Sequence, residues 1–350
     1  MKVAVYCPVK NEFPNIDAWY QSCQDADYIC VLDTGSTDGT VEKLRSLEKV
    51  KVTEVLILPW RFDDAFNMAM YTVPGDADVC IRLDLDERLQ PGWRDALESD
   101  WRPGTTRLRY PYVWNWNPDG TPGRQWFGDR IHSRTNYRWI GPTHEYLMCR
   151  GQETLSWTTK LRIHQYPASK NKSGDLSLLQ EFVREYPHDS RAMAYLGREY
   201  IYQRDFKNAS TTYRKFLDME SNPVERCQAL MYLAEAEPKN APDWLEKAHQ
   251  ELPDHREPLV KMAEYFYQNK QWEKCLEYVQ RALKINAHPM TYICLDDAWS
   301  WKPHDLAAIA LWNLEKYDQA LHHGKEAAKL NPKDPRLQKN LEFYQNPPTA

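Results

Sequence analysis

In the first half of the chain the apolar residues fall in short unbroken runs, and each run stops on a polar cluster. Val3–Val9 is followed by Lys10-Asn11-Glu12, and residues 28–32 by Asp33-Thr34-Gly35-Ser36-Thr37-Asp38-Gly39-Thr40. Residues 52–58 lead to Arg61 through Asn67, and residues 79–83 to Asp84-Leu85-Asp86-Glu87. Continuous apolar runs of this length read as buried strands. Helical stretches separate them: Pro14 opens one to about residue 23, a second covers 41–47, and a third lies in the later part of 59–73. Strand, loop and helix in repetition predict a parallel sheet with helices on its faces, and ligands of such sheets bind outside the carboxyl ends of the strands. All four polar clusters sit at those ends and are expected to form one cleft. Side chains repeat every two residues along a strand, so Asp84 and Asp86 are expected on one face. Two carboxylates there repel unless a cation sits between them; alone, the pair is equally an acidic strand cap.

Between residues 107 and 133 aromatic residues alternate on two runs around Asn117-Pro118-Asp119-Gly120, which predicts a β-hairpin. Tyr112, Trp114 and Trp116 read either as a platform for sugar rings or as filling between sheet and helices. From Leu176 onward strands vanish and helical periodicity takes over. Small residues recur at Gly197, Ala229, Ala263 and Ala308, in steps of 32, 34 and 45 residues. Small residues at such intervals let paired helices cross closely, so about four helix pairs are expected, the second degenerate. The last step carries an aromatic and acidic insertion over 288–303, expected to lean on a neighbour or to mediate self-association.

A length of 350 residues suggests two domains, placed here at 1–172 and 173–350. The net charge of −5 provides no global field toward nucleic acid or anionic lipid, which slightly disfavours a DNA acceptor. Eight cysteines are scattered without a CxxC pair, as in packed thiols of a cytoplasmic protein. The N-terminus lacks the pattern of a signal peptide, and no run approaches a membrane span. Gly35 and Gly39 let backbone N–H groups approach a ligand, while Thr37 or Asp38 can also cap the next helix. Neither a G-x-G-x-x-G nor a P-loop pattern is present, so hydride transfer and P-loop chemistry lack their marks.

CPVKNE, VLDTGSTDGT and RLDLDERL, in this order and spacing, resemble the donor-binding half of a glycosyltransferase family 2 enzyme with the GT-A type fold, over roughly residues 1–170. The helical half resembles a tetratricopeptide array. The first resemblance implies an α/β GT-A type catalytic domain, Rossmann-like with a mostly parallel sheet, followed here by an all-α solenoid. It implies nucleotide contacts from Pro8, Asn11, Glu12, Asp33, Gly35 and Ser36, with Asp84 on the ribose or sugar and also, with Asp86, in the set that holds a divalent metal, Mn2+ or Mg2+. Asn67 matches a phosphate-contacting segment whose expected Arg is Phe66 here, and Arg61 is a substitute. Arg82 reaches the sugar or phosphate, or pairs with the acidic cluster. YRWIGPTHEYL resembles a further family element, which makes Glu145 the first candidate base and His144 a second base or sugar contact, with Asp129 and Asp119 in reserve. His164 is the implied third metal ligand, and one imidazole with carboxylates suits manganese better than magnesium. Lys172 or Lys170 would close over the diphosphate.

The expected activity is metal-dependent, inverting transfer of a sugar from a nucleotide-sugar donor, a UDP-hexose first, to an unidentified acceptor: a surface glycan, a protein or a modified DNA base. A hard cation on the diphosphate and a carboxylate base are the groups such a transfer needs. The alternatives are a repeat-based interaction protein with an inactive transferase domain, and a nucleotidyltransferase, for which KNEFPN is a poor phosphate loop. A protein partner or self-association through the repeats is also expected.

Overall fold

The computed structural model describes residues 1–116, 122–123, 125–166, 176–289 and 291–348. The chain divides into two compact units, Met1–Glu185 and Tyr186–Ala350. The first contains β1 (Val3–Val9), α1 (Ile16–Cys23), β2 (Tyr28–Asp33), α2 (Thr40–Arg45), β3 (Val50–Glu54), α3 (Phe62–Tyr71), β4 (Val79–Arg82), β5 (Glu87–Leu89) and α4 (Trp93–Asp100). It continues with β6 (Arg107–Val113), β7 (Gln125–Ser133), β8 (Tyr137–Ile140), β9 (Tyr146–Cys149), β10 (Leu155–Trp157), β11 (Ile163–Gln165) and α5 (Leu176–Glu185). The expected domain boundary at 172/173 lies among residues 167–175, outside the described residues. The expected hairpin tip at 117–120, with Asp119, lies outside them too.

The main sheet runs β3-β2-β1-β4-β7-β6-β11-β5, with β10 beside β6. Its first four strands are parallel, as the strand–helix repetition predicts. Antiparallel β7 then lies against β4 and β6, so the long aromatic hairpin joins the sheet beside the cleft. Both faces of the parallel part are covered. Val3, Val5 and Cys7 face Ile16, Trp19 and Cys23 of α1. Ala4 and Tyr6 alternate to the other face with Cys30, Leu32, Ala69 and Met70. Each such aliphatic side chain contributes about 1.5–3 kcal/mol by leaving water. The eight cysteines are free thiols, seven of them buried and Cys149 half-buried.

One expectation changes. The strand drawn through Leu83 ends at Arg82, and Asp84-Leu85-Asp86 forms a turn closed by the Glu87 N–H donating to Asp84 O at 2.9 Å. The Glu87 carboxylate accepts the Asp84 N–H at 3.0 Å, and Arg88 donates to the carbonyls of Leu85 and Glu87. Those bonds hold the backbone in a turn, so the two aspartates do not share a strand face.

The second unit is α6 (Ser190–Tyr202), α7 (Phe206–Met219), α8 (Pro223–Ala236), α9 (Ala241–Glu251), α10 (Glu257–Gln268), α11 (Trp272–Leu283), α12 (Trp301–Asn313), α13 (Tyr317–Leu330) and α14 (Pro335–Tyr344). Helices α6 to α13 pack as four successive pairs, matching the spacing of the small residues. At Gly197 an added Cβ would lie 2.8 Å from the Tyr213 ring, which is why that seam needs glycine. The first helices of neighbouring pairs also approach one another, α6 to α8, α8 to α10 and α10 to α12. They therefore line the inner face of the array.

Candidate functional site

The loops after β1 and β2 are laced together. Asn11, at a φ of +55°, donates its N–H to Ser36 Oγ at 2.9 Å, and its Oδ1 accepts from the Thr37 N–H at 2.8 Å. The Glu12 N–H donates to Thr40 Oγ1 at 3.0 Å. Pro8 is half-buried in β1 opposite Leu32. Gly35, at a φ of +101°, turns the chain so that its N–H and that of Ser36 both donate to Asp33 Oδ2, at 2.9 and 3.0 Å. Asp33 Oδ1 is buried with no hydrogen-bond partner among the described residues. An orphaned carboxylate oxygen is a costly feature that a donor group on a ligand would relieve.

At the end of β4 the centre is Arg82, whose side chain is only 5 % exposed. Its guanidinium grips Asp84 with two prongs, Nε to Oδ1 at 3.2 Å and Nη2 to Oδ2 at 2.8 Å, and reaches Glu145 Oε1 with Nη1 at 2.8 Å. It lies 3.4 Å from the Phe66 ring centre and 4.7 Å from that of Trp139, a cation held between aromatic faces. Burial works against its charge, but Asp84 and Glu145 more than offset this and raise its pKa. Glu145 Oε2 makes no hydrogen bond among the described residues. Glu145 and His144 lie on the loop joining β8 to β9, with His144 at a φ of +51°.

A second ion pair adjoins the first. Arg130 on β7 donates to buried Glu87 Oε1 at 2.7 Å and lies 3.6 Å from Asp84 Oδ2. Tyr112 donates its hydroxyl to the same Glu87 oxygen at 2.6 Å. Burial pushes the Glu87 carboxyl above its usual range, while Arg130 pulls the other way. Sequence reasoning missed Arg130 and Glu87. Alternation from Trp126 puts Arg130 on the Tyr112 face, but only once the β6–β7 register pairs Tyr112 with Trp126.

Asp86 and His164 lie on paired segments at the far edge of the sheet. β11 pairs antiparallel with β5, His164 opposite Arg88, and the Tyr166 N–H donates to Asp86 O at 2.7 Å. Gln165 Nε2 reaches Asp86 Oδ2 at 3.3 Å. His164 Nε2 is buried without a hydrogen-bond partner among the described residues, its ring edge-on to Trp116 at 4.8 Å. Burial, with the charge of Arg162, lowers the His164 pKa. Among the described residues no three His, Cys, Asp or Glu side chains are grouped to hold a metal. Both oxygens of Asp84, counted in the expected metal set, are gripped by Arg82. Of the expected metal set, Asp86 and His164 are the two that Arg82 does not grip.

Other expected residues go elsewhere. Asn67 Nδ2 donates to Trp139 O, and its Oδ1 accepts from the Trp139 N–H, both at 2.9 Å. Its amide thus holds β8 and is not free for a phosphate. Arg61 is paired with Asp63 and Glu185. Asp129 lies near Arg107 and Arg109. Lys172 and Lys170 lie outside the described residues. Of the aromatic candidates Tyr112 is buried, whereas Trp114 is exposed and rests against exposed Trp126 at 5.7 Å.

Residues 4–99 match the family model described as Glycosyl transferase family 2. The Formate-dependent nitrite reductase complex subunit NrfG of Escherichia coli O157:H7 is 32% identical over 68 residues, covering 19% of this chain and 34% of that protein. The chain thus spans about a third of that relative's length. MamA resembles the chain at 15% identity and a TM-score of 0.38, over 46% of this chain and 89% of that one. TTC0263, a thermophilic TPR protein of Thermus thermophilus, does so at 16% identity and a TM-score of 0.36, over 49% and 88%. No helix among the described residues is long and apolar enough to cross a membrane. With the parallel strand-end cleft in the first unit and the paired helices in the second, the chain carries a glycosyl transferase family 2 domain followed by tetratricopeptide-like repeats.

Proposed function

We propose that the first domain is a cytoplasmic glycosyltransferase that moves a hexose from a UDP-sugar to an acceptor nucleophile with inversion. The observation that carries this reading is the Asp84–Arg82–Glu145 array beside the laced loops. The base and ribose would lie over Pro8, Asn11, Glu12, Asp33, Gly35 and Ser36, with a ligand N–H or O–H satisfying Asp33 Oδ1. Arg82 fixes Glu145 by one oxygen. The other would take the acceptor's proton while the acceptor attacks the anomeric carbon and the nucleoside diphosphate leaves from the opposite side. His144 is the second group able to take that proton or to contact the sugar. A divalent cation, manganese before magnesium, would be held by Asp86 and His164 and would neutralise charge on the leaving diphosphate. Lys172 is proposed to contact the same diphosphate.

The test is a donor screen that reads nucleoside diphosphate release with manganese present, followed by mass spectrometry of candidate glycan, protein and DNA acceptors. Asp86→Ala is expected to lose at least about a hundredfold in rate with its circular dichroism unchanged, a loss typical of removing charge stabilisation at a leaving group. Full activity in that variant would remove Asp86 from the reaction. Release of pyrophosphate in place of a nucleoside diphosphate would mark a nucleotidyltransferase. The two-pronged hold of Arg82 on Asp84 favours a second reading, an inactive transferase domain serving a repeat-based interaction protein. Calorimetry showing no UDP-sugar binding, with or without manganese, would select it.

A further inference from the structure

The charged side chains at the end of β4 form one row of alternating sign. β7 pairs with β4 in the register Val79–Ser133, Cys80–His132 and Ile81–Ile131, so one step further Arg130 stands opposite Arg82. Opposite residues share a face of the sheet, and two cations there repel unless anions lie between and beside them. The row reads Glu145, Arg82, Asp84, Arg130, Glu87. Its two arginines are used to different extents. Arg82 is buried, and its Nε, Nη1 and Nη2 all donate to carboxylates. The Arg130 side chain is 26 % exposed and donates through Nη1 alone, to Glu87 Oε1. Its Nε and Nη2 have no hydrogen-bond partner among the described residues. Burial works against the Arg130 charge, but Glu87 and Asp84 more than offset this and raise its pKa.

Nε and Nη2 form the edge with which Arg82 grips Asp84, and on Arg130 the same edge is unused. Two parallel N–H groups on a fixed cation match a pair of phosphate oxygens. The anchor is firm, because Tyr112 donates its hydroxyl to Glu87 Oε1 and also lies 3.0 Å from Gln165 Oε1. Gln165 in turn reaches Asp86, so Arg130 is tied to the expected metal side of the site. Glu145, the proposed base, stands at the opposite end of the row, and in-line displacement puts acceptor and leaving group on opposite sides of the reacting carbon. We propose that Nε and Nη2 of Arg130 hold the diphosphate of the nucleotide-sugar donor, and that this hold persists without a divalent cation. The proposal rests on the reading of the first domain as a sugar transferase. In that reaction a bond forms from the acceptor's nucleophilic atom to the anomeric carbon, and its proton passes to Glu145. The bond from that carbon to the diphosphate oxygen breaks, its electron pair stays on the oxygen, and Arg130 meets the charge that develops there. The divalent cation then adds to the rate and is not needed for donor binding.

The probes are UDP and uridine, titrated by calorimetry against the full chain in EDTA. The unaltered protein is expected to bind UDP about tenfold or more tighter than uridine. Arg130→Lys keeps the charge and a bond to Glu87 but loses the fork. It is expected to lose most of that preference, with uridine binding unchanged. Arg130→Met combined with Glu87→Gln removes the ion pair without leaving a buried carboxylate unpaired. This double variant is expected to bind UDP no tighter than uridine. A full preference for UDP in either variant, folded by circular dichroism, would overturn the proposal. So would a preference that appears only when manganese is added. If the unaltered chain binds neither UDP nor uridine, the transferase reading itself fails and the proposal with it. If it prefers UDP in EDTA and the variants do so equally, Arg130 alone loses its role. If neither variant folds, Arg130 serves the fold and the proposal falls.

Discussion

Arg82 carries its charge into a place where burial alone would favour the neutral form, and two carboxylates with two aromatic faces keep it there. Removing the cation takes the ion-pair partner from Glu145 and leaves Asp84 with Arg130. Arg82→Met is therefore expected to destabilise the first unit by about 3–5 kcal/mol, the usual penalty for breaking a buried pair. Urea unfolding checks this, and Arg82→Lys should recover part of the loss because it restores charge without the fork. His132 gives the pH dependence. Fully buried beside the Tyr6 hydroxyl at 2.8 Å, it has its pKa lowered by burial from 6.5 to about 4. Between those values the unfolded chain binds a proton that the folded one refuses, so stability falls with falling pH by about 1.4 kcal/mol per unit. Above about 6.5 both states are neutral and the effect vanishes. Urea midpoints at pH 7.5 and 5 should converge in His132→Asn. The pairing of Arg82 with Asp84 was one of the two readings the sequence offered, whereas Glu145 and Tyr6 are brought to Arg82 and His132 from 63 and 126 positions away.

At the scale of elements, the strand runs and their polar ends were legible because burial on both sheet faces demands unbroken apolar runs. The two halves of RLDLDERL were not. A strand end and a turn have the same local pattern here, and the side chain of Glu87, facing inward, decides for the turn. The place of β7 between β4 and β6 depends on pairing across some 50 residues, which no local periodicity encodes. Gly141 shows how closely elements are fitted. It has a φ of +104°, and an added Cβ would lie 2.6 Å from the Phe182 ring of α5. Gly141→Ala is expected to cost about 1–3 kcal/mol from strain and overpacking together, and to loosen α5 first. Hydrogen exchange along α5 reads the difference.

For the whole molecule, length and the change to helical spacing indicated two units, and the division between them falls at Glu185–Tyr186, with α5 in the first. The Arg61–Glu185 pair and the Phe182–Gly141 contact explain why α5 belongs there. A fragment of residues 1–185 is accordingly expected to melt in one cooperative step, whereas residues 1–172, without α5, should melt lower and bind a hydrophobic dye. The burial of the thiols has a practical corollary for labelling. Seven of eight cysteines are sealed within the fold, and Cys149, on β9 four residues beyond Glu145, is half-buried. A thiol reagent should titrate about one group in the native protein and all eight in denaturant. A single dye on Cys149 would then report events at the loop that carries Glu145, with no cysteine removed by mutation.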